Sequence, residues 1–306
     1  MIEVPDWSTH YAYKWHSNPR SRTTCRTFFD KCVARPALDR AFKVMKDGGA
    51  SLEAKHTAKQ DIDLYTFDDN AQMAAGRTVQ TFCDDILLED KDPSVALAEA
   101  VDAMQSYKPR TWDESDAVKA EHRAAEITAV ADAAITGLRE ALTGVNDIYG
   151  EKEVFSNLEG CQLKYFGIPD YIGRVELKTK WDRASKTAKS GWSANSLPRE
   201  PDLGHLFQVA GYWHGTGQLP TLVYANRLGY RIFNSDNCEK LTPENLKEIL
   251  QLCAQDCRIR EKILRAAHRM GGTIEDLLQL VEPQFGHWSW DVKPQVKEIA
   301  KEIWAR

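Results

Sequence analysis

Nothing in the 306 residues approaches the ~20-residue apolar run that a bilayer-spanning helix requires. The opening MIEVPDWSTH also lacks the basic-then-apolar profile of a secretory signal, so the chain is expected in the cytoplasm. No compact C-x-x-C pair occurs. The seven cysteines are odd in number and irregularly spaced, which fits reduced thiols better than a disulfide framework. A metal or iron-sulfur cluster would have to draw on Cys25 and Cys32 near one end and on Cys253 and Cys257, four apart on a predicted helix. Without a close pair, that spacing argues against one. Positive charge is not in excess either, since 40 Lys and Arg against 45 Asp and Glu leave a formal net charge of -5. A protein that coats nucleic acid by bulk attraction is usually basic, so any phosphate binding here must be local. There is no internal repeat and no low-complexity segment.

What remains is an ordinary globular composition, 42% apolar and 28% charged, long enough for one large or two modest domains. Residues 1–150 read as a mainly helical flank. NAQMAAGRTVQTFCDDILLED places Met73, Val79, Phe82, Ile86 and Leu87 near one helix face, Asp92-Pro93 reads as a cap and first helical position, and an Ala-rich run from Asp113 to Leu142 stops at Gly144. From Val154 onward, β-branched and aromatic residues gather in short runs. They predict strands at 153–156, 161–168 and 174–181, a long loop at 182–202, a helix from Leu203 to Gly215, and two strands joined by a turn at Asn226–Gly229. Helical patterning resumes after Thr242-Pro243 and runs to Met270, with shorter helices after Thr273 and Pro294. The expected architecture is one α/β domain over 1–306, a mixed central sheet at 151–240 flanked by N-terminal and C-terminal helices.

Chemistry concentrates in YFGIPDYIGRVELKTKW, residues 165–181. Alternation along a strand sets Val175, Leu177, Thr179 and Trp181 on one side and Arg174, Glu176, Lys178 and Lys180 on the other. A turn at Gly173-Arg174 folds Asp170 back beside Glu176. Two carboxylates that close repel unless a positive charge lies between them, and a divalent ion with hard oxygen ligands removes that cost. Lys178 then stands where it would orient or deprotonate a water, or offset charge on a phosphate. The triplet alone is weak evidence, because Glu53–Lys55, Glu89–Lys91 and Asp291–Lys293 match it too.

GIPD followed by VELKTK resembles the signature of the PD-(D/E)xK nuclease superfamily. HLFQVAGYW adds Gln208-x-x-x-Tyr212, similar to the extra helix motif of its RecB-like branch. The resemblance is clear from Tyr165 to Tyr212 and looser from Gly76 to Asn234. It implies a restriction-endonuclease-like core and a Mg²⁺- or Mn²⁺-dependent DNA exonuclease, of the kind found in tailed phages and mitochondrial DNA maintenance. Such an enzyme leaves 5′-phosphates and works with replication or recombination proteins. By the same resemblance Asp170, Glu176 and the Leu177 carbonyl bind the metal, Lys178 assists the attacking water, and Gln208 and Tyr212 brace the site. GRTVQTFCD offers a partial match to an earlier helix motif, with Gly76, Gln80 in the place of a histidine and Asp84 as a possible metal ligand; Glu153 is a rival for that role. Two alternatives stay open: a structure-selective or restriction-type endonuclease, and a non-catalytic nucleic-acid-binding protein on the same fold.

DNA would lie along a local basic stretch, Arg174, Lys178, Lys180, Arg183, Lys186 and Lys189, with Trp181 and Trp192 as stacking surfaces. Arg258, Lys262, Arg265 and Arg269 form a second basic stripe at helical spacing, which a solvated face explains as well. The cluster with His287, Trp288 and Trp290 is expected to pack the last helix.

Overall fold

The computed structural model describes residues 9–11, 34–273, 276–277, 279–287 and 290–304. Cys25, Cys32 and Trp288 lie outside these residues, as does part of the helix expected after Thr273. The chain is mixed α/β. A short strand β1 (Thr9–Tyr11) comes first, followed by α1 (Ala34–Lys46), α2 (Leu52–Tyr65), α3 (Ala71–Leu87), α4 (Pro93–Gln105) and α5 (Glu114–Ala141). The strand-rich centre holds β2 (Val154–Ser156), β3 (Lys164–Gly167), β4 (Val175–Thr179), β5 (Arg183–Ala184), β6 (Trp192–Ser193), α6 (Leu203–Thr216), β7 (Thr221–Asn226) and β8 (Gly229–Phe233). Helices α7 (Pro243–Met270) and α8 (Pro294–Trp304) follow. Among the described residues no helix is long and apolar enough to cross a membrane.

Caps explain several boundaries. Asn70 accepts from Met73 N at the start of α3, Asp92 from Ser94 N and Val95 N ahead of Pro93, and Asp113 from Ser115 N before α5. After α5, Gly144 takes φ 79°, a left-handed conformation that ends the helix region without a Cβ penalty.

The expected single sheet is divided. Strands run β1-β3-β2 in one sheet and β4-β7-β8 in another, while β5 and β6 form a separate ribbon. The reason lies in the link from β3 to β4. Pro169 has no N–H to donate, and Leu177 N bonds the Asp170 side chain at 2.6 Å rather than a neighbouring strand. β4 therefore pairs only with β7, in parallel, and β7 pairs antiparallel with β8.

Helices cover both faces of β4-β7-β8. Val175, Leu177, Val223 and Ala225 pack against buried residues of α3, α4 and α5, such as Phe82, Ala100 and Leu138. Leu222, Tyr224 and Phe233 pack on the other side against α6 and α7. Close approach is built into the sequence. A Cβ on Gly137 of α5 would lie 2.9 Å from Val223 Cγ1, and one on Gly211 of α6 would lie 2.3 Å from the Tyr165 ring. Trp290 is fully buried in a third cluster with Val296, Ala300 and Trp304 of α8, as the sequence suggested. On α7 the buried row includes Arg260 and Glu261, while Ile259 is exposed.

Candidate metal and nucleic-acid site

A tight turn at residues 172–174, closed by the Tyr171–Val175 pair, creates the site. Arg174 N donates to Tyr171 O at 3.0 Å, and Ile172 and Gly173 both take positive φ, 43° and 71°. That is the sign pattern of a type I′ hairpin turn, displaced one residue from the Gly173-Arg174 turn expected from sequence. A β-branched residue is strained there. Ile172 is held by burial in the core beneath α3 and α5 and by its N–H to Tyr149 O at 3.0 Å. Tyr171 and Val175 form an antiparallel bridge, so the next pair outward sets Asp170 directly across from Glu176.

Main-chain bonding fixes which groups face outward. Arg174 O accepts from Thr221 N and Lys180 N donates to Ala225 O, so even-numbered residues of this segment spend their main-chain groups on β7. Val175 exchanges both bonds with Tyr171, and Leu177 N bonds Asp170. A strand residue sends its N–H and C=O to the same edge, so the Leu177 carbonyl also leaves on Asp170's side.

The side chains form a compact polar group beneath α6. Glu176 is 3% exposed and Gln208 4%. Glu176 Oε1 accepts from Lys178 Nζ at 2.6 Å and from Gln208 Nε2 at 2.8 Å. Gln208 Nε2 also donates to Tyr212 OH at 2.6 Å, and Tyr212 donates to Ile168 O at 3.0 Å. One helical turn separates Gln208 from Tyr212, which lets both reach the same strand. Two buried atoms have no partner, Glu176 Oε2 and Gln208 Oε1. Burial pushes the Asp170 carboxyl well above its ordinary range; the Glu176 charge adds to that, while Lys178 and the Leu177 N–H oppose it. Five expected residues, Asp170, Glu176, Lys178, Gln208 and Tyr212, thus come together, with the Leu177 main chain beside them.

Asp84, Asp170 and Glu176 do not bring three ligand atoms within 4.8 Å of one another. Asp84 Oδ1 accepts from Tyr171 OH at 2.6 Å and from Gln80 Nε2 at 3.0 Å. Helix α3 packs on the Val175 and Leu177 face of β4, and the charges of Asp84 and Asp170 both act on the Tyr171 hydroxyl. Burial raises the Asp84 carboxyl, and those two hydrogen bonds pull it down. Glu153 is exposed beside β2, in the other sheet. Glu151 was missed from sequence, yet its charge raises both Asp84 and Asp170.

The nucleic-acid candidates divide. Arg183, Lys186 and Lys189 are exposed on the ribbon and its loop. Arg174 lines an open groove with Tyr149, Ile172 and Gln218. Lys180 is engaged by Asp202 at 2.7 Å and lies over the Tyr224 ring. Trp181 is buried, which removes it as a stacking surface, because its odd-numbered side faces the helical core. Trp192 stacks on His122 with centroids 4.2 Å apart, so one face is already covered. On α7, Arg258 donates to Glu159 O and Arg265 pairs with Glu261, leaving Lys262 and Arg269 exposed.

Among the described residues, the one group of potential metal ligands within 4.8 Å of one another is His122, Glu126 and Asp182. It lies at the root of the ribbon. Arg227 bonds both Asp182 oxygens at 2.9 Å, and Arg123 bonds Glu126 Oε2 at 2.7 Å. Two guanidinium groups already neutralise the two carboxylates, so the geometry is that of an ion-pair network, and a divalent cation would meet repulsion there. Burial pushes Glu126 up to about 7, aided by Asp182.

No protein-family model matches the chain, and no curated protein matches it. Among solved structures, one described as the crystal structure of SSO0001 is 16% identical, aligned over 76% of this chain and 87% of that chain, with a TM-score of 0.26. A likeness at that level carries no argument.

Proposed function

We propose that the protein is a divalent-metal-dependent deoxyribonuclease, acting as an exonuclease that releases products with 5′-phosphates. One observation carries the reading: Glu176 Oε2 is buried without a partner beside a second carboxyl, Asp170, and an ammonium, Lys178. An unsatisfied buried carboxylate oxygen costs several kcal/mol on the order of magnitude expected for charged groups, and a hard cation offsets that cost. The donor set, two carboxylates and the Leu177 carbonyl, fits Mg²⁺ or Mn²⁺. When bound, such an ion supplies an activated water and neutralises charge on the phosphate.

The remaining work falls to side chains. Lys178 bonds Glu176 Oε1, and its ammonium would be available to a water or phosphate oxygen bound at that carboxylate. Gln208 and Tyr212 brace Glu176 against the Ile168 carbonyl. The exposed Arg183, Lys186 and Lys189 would follow the DNA backbone, a local answer to the acidic net charge. The preference for strand ends and the restriction-endonuclease-like core rest on the sequence resemblance.

The test is end-labelled single- and double-stranded DNA with Mg²⁺ or Mn²⁺, alongside circular single-stranded DNA. Shortening of linear DNA with circles intact supports the exonuclease, and cut circles favour an endonuclease. Intact DNA under all metal conditions rejects catalysis. That outcome would favour a non-catalytic DNA-binding protein, a reading to which the engagement of Asp84 by Tyr171 and Gln80 gives some weight. Glu176→Ala should abolish cleavage in a nuclease and change little in a binding protein.

A further inference from the structure

The polar row of the proposed site continues past Lys178. Lys180 stands one residue beyond the end of β4, on the face of Glu176 and Lys178. On α6, His205 precedes Gln208 by three positions and shares its side of the helix. The two rows meet at Tyr224, the residue of β7 that pairs with Lys178. Tyr224 is fully buried, and its hydroxyl bonds His205 Nδ1 at 2.7 Å and accepts from Asp202 N at 3.3 Å. Its ring centroid lies 5.6 Å from Lys180 Nζ. A buried side chain therefore positions both the imidazole and the ammonium. One anionic oxygen serves them together: Asp202 Oδ2 is 2.7 Å from Lys180 Nζ and 3.7 Å from His205 Nδ1. The Asp202 side chain is 51% exposed, and those of Lys180 and His205 are 24% and 22% exposed, so solvent reaches all three. The Asp202 carboxylate makes no cap hydrogen bond to its own helix, so α6 loses no cap when that side chain turns away.

We infer that Lys180 and His205 form a subsite for a nucleic-acid backbone phosphate, with Asp202 Oδ2 holding the place of a phosphate oxygen until a strand displaces it. The inference rests on the nuclease reading for the identity of the ligand as DNA, and it adds where a phosphate neighbouring the scissile one is held. An anionic oxygen 2.7 Å from an ammonium has the geometry of a charge-assisted hydrogen bond, which a phosphate oxygen makes equally well. The placement suits a strand running along this face. Lys178 bonds the Glu176 carboxylate, and Lys180 lies about 6.6 Å further along at the usual rise of a strand, close to the reach of one nucleotide of backbone. An ion pair exposed on its acidic side contributes little to stability, so a strand carrying several charges displaces it readily. The face of α6 then has two tasks: Gln208 and Tyr212 brace the metal carboxylate, and His205, one turn earlier, stands beside the neighbouring phosphate.

The test is the affinity of the full chain for a fluorescein-labelled oligothymidylate, read by anisotropy across a salt series with EDTA present so that no strand is cut. Asp202→Asn removes the competing charge and leaves a residue equally accepted at a helix start, so binding should tighten several-fold. Glu200→Gln makes the same charge change two residues away, at an exposed acid paired with Lys240, and should not tighten it to that extent. The gain should vanish when Asp202→Asn is combined with Lys180→Gln. Lys180→Gln alone should weaken binding and flatten the slope of log affinity against log salt by about 0.7, one phosphate contact on a single strand. His205→Ala should weaken binding as well. Inorganic phosphate should displace the strand only at high concentration; tight phosphate binding that leaves the strand in place overturns the assignment. So does an Asp202→Asn affinity no higher than that of Glu200→Gln, an unchanged salt slope in Lys180→Gln, or no oligothymidylate binding by any variant. If DNA is cleaved with Mg²⁺ and these changes are absent, the subsite alone falls. If they are present and nothing is cleaved, the subsite stands and the nuclease reading falls.

Discussion

Replacing Gln208 by methionine removes every polar atom of that side chain at nearly constant volume, and its cost follows from the bonds around it. The change deletes a hydrogen bond to a charged acceptor, Glu176 Oε1 at 2.8 Å, and one to Tyr212 OH at 2.6 Å. Those losses amount to roughly 1.5–3 and about 1 kcal/mol. It also deletes the buried, unpartnered Oε1, whose desolvation costs roughly 1–3 kcal/mol in the folded state. Neither partner is stranded, because Glu176 Oε1 keeps Lys178 at 2.6 Å and Tyr212 keeps Ile168 O at 3.0 Å. The expected net destabilisation is about 0–3 kcal/mol by urea unfolding, with metal affinity or cleavage falling roughly 10–100-fold, as expected for groups that orient metal ligands. Lys178→Met is the contrast. It strips a buried carboxylate of its cation and should cost about 3–5 kcal/mol. A loss above about 4 kcal/mol for Gln208→Met would refute the reasoning, because it would mean that Oε1 is satisfied in the folded protein.

Other consequences are equally measurable. Gly211→Ala should lower the melting temperature by many degrees or prevent soluble expression, because the new Cβ would sit 2.3 Å from the Tyr165 ring; Gly217→Ala, with no atom near its Cβ but φ 73°, should cost only about 1 kcal/mol. Glu126 is held at about 7 in the folded protein against an ordinary 4.5. The folded state therefore binds that proton more tightly, and the stability it contributes is full below pH 4.5 and lost as pH rises to about 7. The indole resonance of Trp192, which stacks on the neighbouring His122, should move through that window, and Glu126→Gln should flatten the response. Arg227→Ala leaves Asp182 with less compensation and should loosen the ribbon, seen as faster hydrogen exchange over 183–193.

Much of the centre was legible because local pattern decides it. Alternation alone placed Glu176 and Lys178 on one face of β4, and the four-residue spacing placed Gln208 and Tyr212 on one side of α6. The cap at Asp92-Pro93 and the turn at Asn226–Gly229 read directly from residue type. The rest depends on partners distant in sequence. Period and propensity carry no sign that Tyr171 would take Asp84, 87 residues earlier, or that Trp192 would lie on His122. The sheet divides because a side chain, Asp170, occupies the donor that a neighbouring strand would use. On α7, nothing in the helical spacing marks Glu261 as buried; the backbone N–H groups of Gln162 and Leu163, from a loop distant in sequence, make its burial tolerable.

The central claim is that Asp170 and Glu176 hold one divalent cation beside Lys178. Crystals soaked in Mn²⁺ and measured at the manganese absorption edge test it directly. The account predicts an anomalous peak within bonding distance of both carboxylates, lost in Glu176→Ala. No peak there, or a peak confined to His122, Glu126 and Asp182, would contradict it.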